Sequence, residues 1–158
     1  MAETWKSRFL RWRINWFPAY RRTGARVVYL APDHTEMRIA LPLGRATRNL
    51  NGTLYGGAIY AAVDPLHALL VSAQLGRRHQ VWVRAARISF RRQGRSTLYA
   101  TARVEPAEVA ELRAELEETG RAERDFRLDL QDASGEVCAH CVVTVHVRSR
   151  VPAVPQAA

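Results

Sequence analysis

An α+β domain, with an antiparallel sheet wrapped around one central helix, is the fold class this sequence predicts. Three observations carry it. Residues 56–75 are apolar almost all round, the mark of a helix buried on most sides. Strand-like runs lie on both sides of that helix in the chain. Neither an internal repeat nor a second domain is visible, and 158 residues suffice for one domain with a sizeable core.

The elements follow in order. Residues 4–17 read as an amphipathic helix, because Trp5, Phe9, Trp12 and Trp16 recur on one helical face, with Lys6, Arg8, Arg11 and Arg13 interleaved. Pro18 ends it. Its aromatic face is expected to dock on the domain or on a second subunit. A membrane-surface contact and a lid over an acyl channel are the alternatives. Residues 25–31 and 35–42 read as strands around the turn Ala31-Pro-Asp-His34; Met37, Ile39 and Leu41 alternate with Arg38 and Ala40, so one face is buried. A loop, 43–53, leads to the apolar helix, which closes at Gly76. Pro65 inside it predicts a kink or break beside Asp64.

After the helix, residues 80–91 alternate Val81, Val83, Ala85 and Arg87 against Trp82, Arg84, Ala86 and Ile88. Residues 96–104 form the next strand, and Gln93-Gly94-Arg95 reads as a hairpin turn joining the two. Residues 106–119 form a surface helix opened by Pro106 and closed by Gly120. Strands 126–131 and 137–147 complete the sheet around a turn at Asp132–Gly135. The organisation is thus an N-terminal helix over 1–17, a domain over 18–149, and a disordered tail over 150–158.

Composition bounds the partners. A hydrophobic fraction of 47% and a charged fraction of 25% are those of a globular protein. No apolar run is expected to reach the ~20 residues of a membrane span, and the start of the chain lacks a secretory-signal pattern. Two cysteines make no disulfide framework, so a cytoplasmic protein is expected. The net charge of +9 calls for an anionic partner. Nucleic acid, an acidic membrane surface and the phosphates of coenzyme A all satisfy it, but no nucleic-acid motif is present and none is expected to bind. Cys138-Ala-His-Cys141 is a weak metal pattern, since strand positions three apart point to opposite faces; no metal is expected.

The chemistry concentrates between Asn49 and Pro65. A Gly-Gly turn at Gly56-Gly57 lets a ligand approach the backbone closely, and a helix starting there aims unpaired N–H groups at an oxyanion. Asp64 is a lone carboxylate among Ala, Ile, Val and Leu, expensive to bury without a task. The equally plain alternatives are that Asp64 marks a turn before Pro65, that the glycines serve close packing, and that Asn49 stabilises its loop. His67, three residues past Asp64, either orients the carboxylate or is a satisfied core histidine.

The run Asn49, Gly52-Thr53-Leu54, Tyr55-Gly56-Gly57 and Asp64 resembles the motif of the phenylacetate-pathway type acyl-CoA thioesterases of the hotdog superfamily. The wording Tyr-Gly-Gly-Ala-Ile-Tyr-Ala-Ala-x-Asp-Pro is most similar to a less characterised hotdog branch of unknown function. The likeness runs from about residue 18 to 148. It implies a curved antiparallel sheet around a long helix, and a dimer or dimer of dimers with active sites between subunits. It implies hydrolysis of an acyl-CoA or acyl-carrier thioester, with Asp64 as base or nucleophile, the Gly57 amide polarising the thioester oxygen, and Asn49 positioning water. Tyr55 stands where those enzymes carry His, which leaves a non-catalytic acyl-thioester or lipid-binding module as the alternative. Tyr55, Gly56 and His67 are candidate substrate contacts, and Arg91, Arg92 and Arg95 candidate contacts for coenzyme A phosphates, since Arg pairs with phosphate in a fork. No cofactor is implied beyond the coenzyme A of the substrate.

Overall fold

The computed structural model describes residues 2–150; the expected tail lies outside them from residue 151 onward. The chain runs α1 (Trp5–Trp16), α2 (Pro18–Arg22), β1 (Arg26–Leu30), β2 (Glu36–Leu41), α3 (Gly56–Val63), α4 (Leu66–Leu75), β3 (His79–Phe90), β4 (Leu98–Arg103), α5 (Pro106–Thr119), β5 (Arg121–Gln131) and β6 (Val137–Ser149). One six-stranded antiparallel sheet has the order β1-β2-β4-β5-β6-β3. The α3–α4 segment supplies Ile59, Val63, Leu66 and Leu70 to a core completed by Met37, Ile39, Leu98 and Leu130. This is the α+β arrangement expected.

The central helix breaks where Pro65 requires it. Pro65 has no N–H to continue the ladder, so α3 stops at Val63 with Asp64 as its C-cap, and α4 starts at Leu66. By length and composition Gly56–Leu75 does match a membrane span, contrary to the expectation that no run would. Here it is the domain's core helix, interrupted at Asp64-Pro65.

Two sheet expectations are corrected. The segment Gln93-Gly94-Arg95 does not join a hairpin: β3 pairs with β6 from His79↔Ser149 to Phe90↔Ala139, while β4 lies between β2 and β5. The connection must carry the chain from the sheet's edge to its middle, which a tight turn cannot do. The alternation of β3 also changes face midway. A register shift between Val83 and Ala85 puts Val81, Val83 and Ile88 against the core, so Ala85 and Arg87 do not continue the buried face.

The aromatic face of α1 does not dock on the domain. The helix is held by its other sides: Ser7 is buried, and Leu10 and Ile14 pack on the core. Asn15 exchanges two bonds with the backbone of Val27, giving Nδ2–H to its carbonyl (2.9 Å) and accepting its N–H (2.8 Å). Glu3 accepts the N–H of Leu30 (3.0 Å) and pairs with Arg11 (3.0 Å). These bonds fix the rotation of α1 and answer the outer edge of β1. Tyr20 on α2, unforeseen in the sequence, is buried and donates to the Ala62 carbonyl (3.3 Å), tying the N-terminal pair of helices to α3.

Candidate active site

The loop before α3 is closed by its own side chains. Asn49 Oδ1 accepts the N–H groups of Asn51 (3.0 Å) and Thr53 (3.1 Å), and Asn49 Nδ2 donates to Thr53 Oγ1 (3.0 Å). The Leu54 N–H then donates to the Gly94 carbonyl (2.8 Å) and the Tyr55 N–H to the Thr47 carbonyl (2.8 Å), which fixes where α3 begins. The first bonds of the helix run from Ala58 and Ile59 to the Tyr55 carbonyl. The amides of Gly56 and Gly57 therefore precede the ladder, and the helix dipole adds positive potential beside them.

Both glycines are closely approached by exposed rings, which a side chain at either position would have to displace. A Cβ on Gly56 would lie 2.9 Å from the Phe90 ring, and one on Gly57 would lie 2.4 Å from the ring of Tyr55. A cleft of about 450 Å³ opens beside this helix start. Its walls include Asn49, Leu54, Gly56, Ile59 and Phe90, with Arg91 and Arg92 at the rim. An apolar floor, helix-start amides close by and two guanidinium groups suit a flat acyl carbonyl attached to an anionic carrier. A larger hollow of about 680 Å³ between α4, α5 and the start of β3 contains none of the predicted residues.

The cleft thus gathers Asn49, Gly56, Arg91 and Arg92, with Tyr55 and the exposed Gly57 adjoining. Arg92 pairs with Glu136 (3.1 Å), and the backbone N–H groups of Arg91 and Arg92 donate to the Cys138 carbonyl (2.8 and 3.1 Å), so the rim is anchored to β6. Arg95 donates to Gln93 (2.8 Å) and lies off the cleft lining.

Asp64 sits at the opposite end of α3, half-buried, accepting the Tyr60 hydroxyl (3.0 Å). Burial, and then the bond and charge of Asp64, push the Tyr60 phenol up from its ordinary range. Tyr60 is a site neighbour that the sequence reading did not pair with the acid, although four residues on one helix is the signal for it.

His67 is neither the partner of Asp64 nor a satisfied core residue. The backbone stays in the helical region through Asp64 and Pro65, yet the imidazole makes no bond to the acid. It is fully buried, stacked on Phe126 (4.9 Å between ring centroids), and neither ring nitrogen has a partner among the described residues. Burial pushes its pKa down to about 4. Along α3 and α4, Ile59, Val63, Leu66 and Leu70 are core, while Leu69 is partly exposed. Cys138 and Cys141 are buried free thiols that burial pushes up, Cys141 to about 11, and His140 pairs with Asp129 (2.6 Å).

Similar structures give this arrangement a class. A protein of unknown function from Pseudomonas aeruginosa, described as a probable thioesterase, superposes with a TM-score of 0.80 at 25% identity, over 90% of this chain and 95% of that one. A thioesterase from Haemophilus influenzae gives 0.71 at 17% identity, over 93% of each chain. A mutant thioesterase from Pseudomonas aeruginosa gives 0.70 at 16%, over 93% and 96%. The fold is the hotdog fold, which this chain shares with these structures. Residues 6–147 match the family described as Domain of unknown function (DUF4442), and the chain belongs to it. No curated protein matches the chain.

Proposed function

We propose that the protein is a thioesterase-like hydrolase that cleaves an acyl-CoA or acyl-carrier thioester at the interface between two copies of the chain. The observation that carries this reading is the spacing along α3. Asp64 is seven residues beyond Gly57, about 10 Å along a helix axis. A reacting carbonyl must lie about 3 Å from both its oxyanion donor and its attacking water. One chain cannot satisfy both with these two residues, whereas two chains can. The end of β3, an edge strand, borders the cleft at Phe90, where a second copy paired along β3 would bring its own α3 alongside.

In this mechanism Asp64 of one copy takes a proton from water as the oxygen attacks the thioester carbon. The Gly57 N–H of the other copy holds the developing oxyanion. The tetrahedral intermediate collapses with loss of the thiolate, which regains a proton, leaving a carboxylic acid and a free thiol. The apolar floor takes the acyl group, and Arg91 and Arg92 face the carrier's phosphates.

The test is thiol release from a panel of acyl-CoAs of differing chain length, including aromatic acyl groups, by wild type, Asp64→Asn and Gly57→Pro. Proline in the first helical turn deletes the N–H without breaking the helix, and Gly57→Ala, which crowds the Tyr55 ring alike but keeps the N–H, is the steric control. Asp64→Asn and Gly57→Pro are each expected to lose turnover by about 10²–10⁴-fold. Mixing the two under subunit exchange restores about a quarter of wild-type turnover, since half the dimers are mixed and each mixed dimer has one intact site. In the same assay Arg91→Ala raises KM with little change in kcat. Undiminished hydrolysis by Asp64→Asn would refute the mechanism.

One observation favours a second reading. The Asn49 side chain is engaged in its own loop, and Tyr55 stands at the histidine position of the characterised thioesterases. Acyl-CoA binding with no turnover from folded wild type would make this a non-catalytic acyl-binding module.

A further inference from the structure

The strongest feature outside the cleft is the outer face of α1. Trp5, Phe9, Trp12, Trp16 and the adjoining Phe17 are between 54% and 74% exposed. They form a continuous ridge: Phe9 stacks on Trp12 (5.9 Å between centroids), and Trp12 lies 6.2 Å from Trp16. From Trp5 to Trp16 the ridge runs about 16 Å along the helix. A contiguous aromatic surface of this kind on a soluble domain marks an interaction site.

The ridge is not exposed because the helix is loosely placed. Asn15 and Glu3 bond the backbone of β1, and Ser7, Leu10 and Ile14 face the domain. Satisfying those groups forces the aromatic stripe outward. At about 100° per residue, Lys6 and Arg13 fall on one flank of the stripe and Arg8 on the other. Arg21 stacks over the Trp16 ring (4.5 Å), and Arg22 lies exposed on α2. From Trp5 to Arg22 the chain has six basic residues and no acidic one.

We propose that this face seats the protein on an anionic lipid bilayer. Indole and phenyl rings occupy the boundary between headgroups and acyl chains, and arginine and lysine on either side reach lipid phosphates. Charge decides between a bilayer and a second copy of the chain. A two-fold contact through this face would set Lys6, Arg8 and Arg13 of one copy, which flank the stripe, against the same residues of the other, whereas an anionic surface neutralises them. The inference is independent of the thioester chemistry, because α1 lies on β1, at the opposite edge of the sheet from β3, and contributes no residue to the cleft.

Vesicle co-sedimentation tests it. The full chain is expected to bind phosphatidylcholine vesicles containing phosphatidylglycerol, to bind phosphatidylcholine alone much more weakly, and to lose binding as salt rises. Phe9→Ser with Trp12→Ser lowers vesicle binding on the order of tenfold or more, with an unchanged Tm because both rings are exposed. Arg8→Gln with Arg13→Gln lowers binding to the anionic vesicles while leaving the residual binding to phosphatidylcholine. Absence of vesicle binding by folded wild type overturns the proposal. So does a higher oligomer in sedimentation velocity that the serine pair abolishes while vesicle binding is unaffected; that result would assign the ridge to protein association.

Discussion

At one edge of the sheet the outward backbone of β1 is answered by side chains of α1, with Asn15 bonded both ways to Val27 and Glu3 accepting from Leu30. At the other edge β3 runs for 12 residues; α4 packs against it, but no helix side chain is hydrogen-bonded to its backbone among the described residues. A bare edge of that length is a template for another strand, and proteins that have no use for one cover it or interrupt it. This protein covers one edge with a dedicated helix and leaves the other open beside the cleft. The difference teaches which edge is available to a second copy, and it agrees with the proposed site, whose acid and amide lie too far apart on one chain to act together.

The largest stability effect expected lies between the edges, and so isolates them from the middle. His67 on α4 stacks on Phe126 of β5 in the centre of the fold. Burial lowers its pKa from 6.5 to about 4, so the unfolded chain accepts a proton that the folded one refuses. Its contribution is complete above pH ~6.5 and is lost as pH falls toward ~4, by about 3 kcal/mol over that window. Urea midpoints at neutral and acid pH should show this loss in wild type. In His67→Leu it should shrink sharply, because two unpaired ring nitrogens leave the core. An unaltered pH slope in that variant would assign acid lability elsewhere.

Next in size is the covered edge. Asn15→Ala removes a donor and an acceptor from the Val27 backbone at once, at a cost of about 2 kcal/mol. It also bares β1, so light scattering on heating should rise along with the fall in Tm. A variant as stable as wild type would mean that α1 holds its place without sealing the edge.

Most of this architecture was legible because its signals are local. The break at Pro65, the stop at Gly76, the first-turn Pro106 and the alternation of β2 are decided by neighbours in sequence. What was missed is set at long range. Nothing near Gln93-Gly94-Arg95 reveals that β3 leaves for β6. The bulge at Arg84 is a property of the pairing, not of the strand. The start of β5 was hidden by its exposed charges, Arg121, Glu123, Asp125 and Arg127, which pair across to β6 all the same. In the candidate site the sequence placed Asn49, Gly56, Arg91 and Arg92, because a motif and a charge run marked them. Phe90 and Gly94 could not be found, since only the fold returns the end of β3 to the start of α3. The aromatic stripe of α1 was plain in the sequence, but its direction was not: Asn15 and Glu3, two polar residues with no periodic signal, turn it outward.

The smallest effect on the folded chain, and the most direct test of the comparison, is a charge on the open edge. Ala86 is exposed on β3, in register with Val143 of β6. Ala86→Lys adds a cation beside Arg87 without disturbing the core, so the Tm of the protomer should move within ~0.5 kcal/mol of stability. If two copies pair along β3, each adds its lysine to the same two-fold contact, where like charges oppose. The dimer should then dissociate at about tenfold higher protein concentration on dilution, that is, with a Kd about tenfold weaker. Raising the salt should recover part of the loss, because the penalty is electrostatic. Sedimentation equilibrium of wild type and variant measures both. If β3 is open for pairing, association weakens while the protomer is undisturbed. If association is unchanged, the second copy sits on another face, and the spacing of Gly57 and Asp64 would need a different partner surface to bring them together.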